Sequence, residues 1–434
     1  MSSTAPSPTH PLRALRHRNF QLFFAGNIVS LVGTWMQTVA ESWLIYRLTG
    51  SSLLLGAIGF ANQMPAFILG PVGGHIADRY DRRRVLVVTQ CAAMTLAFIL
   101  AGLTLSNIIR EWHIFVLATC LGVVNAFDLP ARQAFLVQMV EREDLINAIA
   151  LNSSMFNGAR IVGPAVAGLL VAAIGEGWCF FANGISYIAV IISLLMMSVP
   201  RLAPRAVSSS PLANIREGLR YVAVTRPIRA LLLLLAVVSF TSMPYAVLMP
   251  IFADRILHTG PRGLGILMGC SGAGALVGSI MLAMRSTVYG LGRWVMFAAA
   301  GLGATLILFG LSKSFVLSCA ILFCVGFSMI VQMSSSNTLI QSMVPDELRG
   351  RVMAAYTMTF MGSGPLGSLL AGTVAENIGA PWTLAIGGAI TIIAAIVFGI
   401  RLPLLRGEAR QLIVAQQAMP GEPGNNMTAT GAEA

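Results

Sequence analysis

The chain has 434 residues, 56% of them hydrophobic and only 10% charged, with a mean hydropathy of +0.78. A soluble protein would carry about 25% charge, so most of this length belongs in lipid and a soluble enzyme is excluded. The net charge of +11 sits in short loops between apolar runs, which argues against a nucleic-acid-binding protein.

The first 19 residues contain Pro and Arg without a signal-peptide cleavage pattern, so the first apolar run is expected to stay as an anchor. Twelve runs approach the length a membrane span needs, at roughly 20–47, 54–76, 85–107, 113–131, 148–174, 178–199, 229–252, 263–284, 294–312, 314–338, 352–376 and 382–403. On the first, Asn27, Ser30, Thr34, Gln37 and Glu41 alternate between spacings of three and four and therefore share one helix face. A polar stripe is costly against lipid, so it is expected to line the bundle interior or a wet cavity. Glu41, a carboxylate within a span, is the leading candidate for proton coupling. The competing reading is a hydrated group near the outer interface, or one paired with Arg47.

Six charges, from Asp78 to Arg84, crowd the turn between the second and third runs, which fixes that turn at a membrane surface. Gly70 and Gly74 predict close packing of the incoming helix on a neighbour. On the fourth run Asp128 and Arg132 stand four apart, the favourable order for a helical ion pair. A gate-side ion pair is favoured there over a second proton site. Arg160 lies inside the fifth run and needs a carboxylate or several acceptors; a pair with Asp128 and a site for an anionic substrate both remain open. Gly163-Pro164 with Gly168 predicts a bent, closely packed helix.

Residues 200–228, with Pro200, Pro204 and Pro211, read as a linker carrying an amphipathic surface helix over 212–224. Beyond it the eighth run has Gly265, Gly269, Gly274 and Gly278 for close packing. Tyr245, Gln332, Asn337 and Gln341 are further cavity candidates, with Trp35, Met36, Met243 and Phe327 as apolar ones. The domain reading is 1–19 N-terminal segment, 20–199 first six-helix bundle, 200–228 linker, 229–405 second six-helix bundle, and 406–434 disordered tail. The six cysteines all lie in apolar runs without a Cys-x-x-Cys pair and read as packing residues. No Walker loop, metal cluster or nucleophile–His pair is visible, so no cofactor or catalytic activity is expected.

Arg47, Arg110, Arg255, Arg262 and Lys313 fall on one side of these spans and Arg160 within one. The rest of the 28 basic residues fall on the other side, which is therefore cytoplasmic and holds both termini. The two halves also echo each other. Thr49-Gly50 with Leu55-Gly56 recurs as Thr259-Gly260 with Leu264-Gly265. Met139-Val140, Ala167-Gly168 and Ile174-Gly175 recur as Met343-Val344, Ala371-Gly372 and Ile378-Gly379, and Gly163-Pro164 as Gly364-Pro365. An ordered set at near-constant offset indicates duplication, the plan of a transporter that rocks two halves about a central site.

The loop residues Gly74, Ile76, Ala77, Asp78, Arg79, Arg82, Arg83 and Leu86 resemble the signature loop of the major facilitator superfamily, with Asp81 where the family usually has glycine, which implies a turn made by an Asp with unusual backbone angles. Gly163-Pro164-x-x-Ala167-Gly168 resembles the helix-bending motif of its antiporters, with Ala159 and Ala167 in place of two glycines. Arg18-Asn19-Phe20, Trp35-Met36-Gln37, Pro130-Ala131-Arg132-Gln133-Ala134 and the run from Val344 to Val352 are similar to the bacterial drug and siderophore efflux branch that includes enterobactin exporters. The resemblance implies an all-α membrane protein of twelve transmembrane helices in two pseudo-symmetric six-helix bundles, in the bacterial cytoplasmic membrane. It implies export of a small amphipathic compound by proton antiport, with Asp78 bracing the eleventh span near Arg349 to Ala354. The expected partners are substrate, protons and lipid, with the chain acting as a monomer. A facilitator or importer of the same fold, and a receptor or scaffold that transports nothing, are the alternatives.

Overall fold

The computed structural model describes residues 12–198, 211–285 and 287–417, and nearly all of them are helical. Six helices form the first half: α1 (Arg18–Thr49), α2 (Ser52–Arg79), α3 (Arg82–Leu105), α4 (Glu111–Leu136), α5 (Leu145–Ile174) and α6 (Glu176–Met196). A short helix, α7 (Pro211–Val224), precedes the second half, whose first span is interrupted. It comprises α8 (Arg226–Thr241), α9 (Tyr245–Ile251) and a π-helical turn over Phe252–Ile256. Then follow α10 (Gly260–Ala283), α11 (Leu291–Leu311), α12 (Phe315–Met343), α13 (Asp346–Ile378) and α14 (Ala380–Gln417).

Eleven of these spans are long and apolar enough to cross a membrane on composition alone. The twelfth, α13, is long enough at 33 residues, but Gly, Ser and Thr dilute its apolar content and Asp346, Glu347, Arg349 and Arg351 open it. Its place in the repeat identifies it as the partner of α5. Neighbour relations repeat between the halves: α1 packs on α5 and α6, α2 on α4, and α3 on α4 and α6. In the second half α8 packs on α13 and α14, α10 on α12, and α11 on α12 and α14. These are the two pseudo-symmetric bundles, joined chiefly where α2 meets α13 and α5 meets α10.

Local chemistry sets the boundaries. Gly50 ends α1 in the left-handed region at φ +63°, which costs glycine nothing. Asp81 has ordinary extended angles, and its carboxylate accepts from the Arg83 amide at 3.0 Å to cap α3. An unusual backbone conformation is therefore not what this residue supplies; it acts as an N-cap. Pro244 breaks the first span of the second half by removing a backbone donor. The Thr241 and Ser242 hydroxyls at the break hydrogen-bond Thr391 on α14 at 2.8 and 2.7 Å.

Two further expectations change in detail. Gly73, rather than Gly74, packs on α4: a Cβ there would come within 2.0 Å of the Ala126 carbonyl oxygen, whereas at Gly70 and Gly74 it would meet nothing within 4 Å among the described residues. The one-residue difference is a rotation of about 100° around the helix, which repeat spacing cannot resolve. Helix α14 runs on to Gln417, so 406–417, read as the start of a disordered tail, is helical; Ala409, Leu412 and Ile413 pack on the core. The remaining tail and the Pro200 and Pro204 linker lie outside the described residues. Helix α7 rests against the start of α13, where Arg351 pairs with Glu217 at 2.5 Å.

A candidate transport cavity between the halves

A cavity of about 810 Å³ lies between the two halves. Its walls differ in chemistry. The first half contributes Asn27, Ser30, Thr34, Asn62, Gln63, Gln90, Asn125, Asp128, Arg132, Gln133, Asn152 and Arg160, beside Trp35 and Phe156. The second contributes Met243, Tyr245, Val247, Met268, Ser271, Met329 and Ser368. Among the described residues every charged group lining the cavity thus comes from one half, and the facing wall is mainly apolar.

The polar wall is built around Asp128, which is buried. Its Oδ1 accepts from Thr89 Oγ1 and Gln90 Nε2, both at 2.8 Å, and its Oδ2 from Arg132 Nε at 3.0 Å and a terminal guanidinium nitrogen at 2.8 Å. The guanidinium also donates to Asn27 Oδ1. A desolvated charge is tolerable only when so fully partnered. This is the helical ion pair expected from the four-residue spacing. Arg160 is not its partner; that guanidinium stacks over the Trp35 ring, 5.8 Å from the centroid, and forms no ion pair among the described residues. It remains available to a ligand in the cavity.

Asn27, Ser30 and Thr34 of the α1 stripe line the cavity, and the stripe then leaves it. Gln37 is buried between helices, accepting from Asn183 of α6 at 2.7 Å. Glu41 is buried and has no hydrogen-bond or ion-pair partner among the described residues. Arg47 pairs instead with Glu176, at 2.8 Å, so the Glu41–Arg47 alternative does not form. Tyr245 lines the cavity with its hydroxyl on Ser271 at 2.7 Å. Gln332 and Asn337 do not reach it: Gln332 is fully buried with Oε1 unpartnered, and Asn337 bonds Gln341. Asn62, Gln63 and Asn152 are lining residues that sequence reasoning missed. They form no repeating polar stripe like that of α1, and only the contact of their helix faces with the cavity singles them out.

The cavity reaches from the middle of the bundle toward the end that carries the Asp78 loop. The opposite end is closed. A Cβ on Gly56 would come within 2.4 Å of the Ser368 carbonyl oxygen, and one on Gly265 within 2.5 Å of that of Pro164; Gly168 and Gly372 are the facing glycines. Pro164 and Gly364 themselves line the cavity, so the Gly-Pro segments of α5 and α13 lie directly below this seal, while Gly163 packs on Trp35 of α1. Charged groups complete the closure. The Glu376 carboxylate of α13 caps α2 across the halves, accepting from the Ser52 and Leu53 amides at 2.7 and 3.1 Å and from the Ser51 hydroxyl at 3.2 Å. Tyr46 donates to Asp254 at 3.0 Å and Arg255 to the Gly50 carbonyl at 3.1 Å.

The arginine-rich end is apart. A hollow of about 670 Å³ separates Phe67, Pro71 and Gln133 from Glu347, Arg351 and Met358. Asp78 is half-exposed and meets Arg82 of its own loop at 3.5 Å. Arg349 pairs with Asp346 on its own turn at 2.6 Å. The Asp78 brace to α13 is therefore unmade in this state. Arg82 and Arg83 act within the first half: Arg82 donates to the Ala77 and Ala134 carbonyls at 3.0 and 3.1 Å, and Arg83 to that of Leu195 at 2.6 Å. They neutralise the C-terminal ends of α2, α4 and α6; Arg79 has no such bond among the described residues.

Residues 9–428 match the family described as transmembrane secretion effector, and the chain belongs to that family of the major facilitator superfamily. It is 27% identical over 379 residues to the staphyloferrin A transporter of Staphylococcus aureus, covering 87% of this chain and 94% of the relative. To the enterobactin exporter of Shigella boydii it is 24% identical over 400 residues, covering 91% and 93%. A bacterial homologue of the human lysosomal transporter Spinster, solved inward-facing and occupied, shares the fold with a TM-score of 0.70 at 12% identity, over 95% of this chain and 100% of that one. The chain is a multi-pass membrane transporter and not an enzyme.

Proposed function

We propose that this member of the transmembrane secretion effector family exports small amphipathic compounds from the cytoplasm by alternating access, in exchange for protons. The observation that carries the reading is a cavity between two halves that is sealed at one end and open at the other. The excess of arginines at the open end makes that end cytoplasmic, so the state described is the one that loads substrate for export. The two walls suit a molecule with a polar and an apolar face. The relatives named for a siderophore transporter and a siderophore exporter support export of that kind of compound.

Two acids serve the proton reading differently. Asp128 faces the cavity and holds Arg132; protonation would release the guanidinium and Asn27 with it, coupling proton binding to the polar wall. Glu41 lies beyond the cavity, nearer the seal. The facilitator reading has no use for either acid as a carrier. Transport into inverted membrane vesicles, with ethidium and an iron-free catecholate siderophore as probes, separates the possibilities. An imposed gradient, acid inside, should drive accumulation of at least one probe above its external concentration. Movement that only equilibrates, whatever the gradient, would make the protein a facilitator. Asp128→Asn and Glu41→Gln then identify the carrier, as the variant that equilibrates a probe without concentrating it.

A further inference from the structure

A second cavity, of about 510 Å³, lies in the second half at its arginine-rich end and takes no part in the path between the halves. It opens where α8 and α11 begin and α12 ends, beneath the extension of α14 past Pro403. Its floor is buried and apolar, formed by Leu231, Met343, Phe398 and Leu402. Its rim carries Arg293, Arg406 and Arg410, all exposed, and no carboxylate among the described residues lines it. None of the three forms an ion pair or side-chain hydrogen bond among the described residues. Glu408, between two of them in sequence, is turned away and pairs with Arg226 at 3.3 Å.

We propose that this cavity binds an anionic phospholipid, the three guanidinium groups holding the phosphate and the apolar floor one acyl chain. Guanidinium is matched to phosphate oxygens and less hydrated than ammonium. A basic pocket between spans at this surface attracts anionic headgroups in particular. The helix ends place the rim at headgroup level, with the floor on the hydrocarbon side. The bound lipid would fasten the α14 extension to the start of α11, beside the Arg226–Glu408 pair that already ties it to the start of α8. Inorganic phosphate could meet the same guanidinium groups, but it has no use for the apolar floor.

Native mass spectrometry of the delipidated full chain tests this. Added phosphatidylglycerol should bind in preference to phosphatidylcholine, and glycerol 1-phosphate or inorganic phosphate should bind far more weakly. Replacing Arg293, Arg406 and Arg410 with Gln should weaken phosphatidylglycerol binding by about fivefold each and about a hundredfold together. The Lys versions should keep much of it. Because the three side chains hold nothing else, the Gln variants should fold normally. Leu402→Trp should block the acyl chain while leaving the charges in place. Equal binding of the two lipids, binding indifferent to the triple Gln variant, or free phosphate binding as well as lipid would overturn the proposal. So would a chain ending at Gln417 that binds much more lipid than the full chain, because the tail would then be the natural occupant.

Discussion

The two ends of the cavity are held by different forces. The sealed end relies on backbone against backbone, at Gly56 with Gly372 and Gly168 with Gly265, under a carboxylate cap and a few polar bonds across the halves. The open end is crowded with charge, yet none of its ion pairs among the described residues crosses between the halves: Asp78 meets Arg82, Arg349 meets Asp346, Asp128 meets Arg132, and Arg351 meets Glu217 of the linker helix. Close glycine packing holds only at contact distance, so the seal is either made or lost. Charged groups can exchange partners as they move, which suits an end that must open and close around solvent.

Four substitutions sharpen that contrast. The largest effect is expected from Asp128→Asn. It leaves Arg132, partly buried in the polar wall, with a weaker partner, and breaking such a pair costs about 3–5 kcal/mol. Accumulation of substrate in vesicles should be lost and thermal stability lowered; a variant with parent stability and parent accumulation would remove Asp128 from the mechanism. Next comes Gly56→Val. Overpacking against the Ser368 carbonyl costs about 1–3 kcal/mol, borne only while the seal is made. The equilibrium should shift toward the other state by about tenfold to a hundredfold, read as faster labelling of a cysteine at Tyr245 from the sealed side.

Glu376→Gln keeps an acceptor at the start of α2 but removes its charge. A helix-terminus charge is worth about 0.3–1 kcal/mol, so labelling from the sealed side should rise by only about two- to fivefold. Unchanged labelling would leave closure to the glycines alone. Asp78→Asn is expected to do least to the state described here, where its one ion pair is exposed and worth under about 1 kcal/mol. Melting temperature should hardly move. If the brace forms when this end closes, transport should still fall; normal transport would reduce the residue to a topological charge.

The twelve spans, the side bearing the arginines and the duplication were legible because lipid imposes a length and a polarity on every span. The run at 352–376 was read as a span although α13 falls short of the hydropathy of the other eleven, and its place in the repeat agrees with that reading. What sequence could not resolve was rotation and partnership. Gly73 and Gly74 differ by one residue, and both suit close packing; only the neighbour decides. Asp128–Arg132 could be read because both partners lie on one helix, whereas Arg160 on Trp35 joins α5 to α1. The α1 stripe was visible as a face, but where it leaves the cavity depends on α6 covering Gln37 through Asn183. Gln332 and Asn337 looked equally polar, yet the second half turns them inward or toward its own helix.

The central claim is that the two ends open and close in alternation around one cavity. Spin labels at Leu53 and Thr373 report on the sealed end, and labels at Gln133 and Glu347 on the walls of the hollow at the other, in a protein whose native cysteines are replaced by serine. Distances in lipid discs would be measured at neutral and acidic pH, with and without a transported probe. Alternating access predicts that the first pair lengthens under the conditions in which the second shortens, and that Gly56→Val favours the same shift without ligand. Two distances that stay fixed in every condition, or that lengthen together, would contradict it.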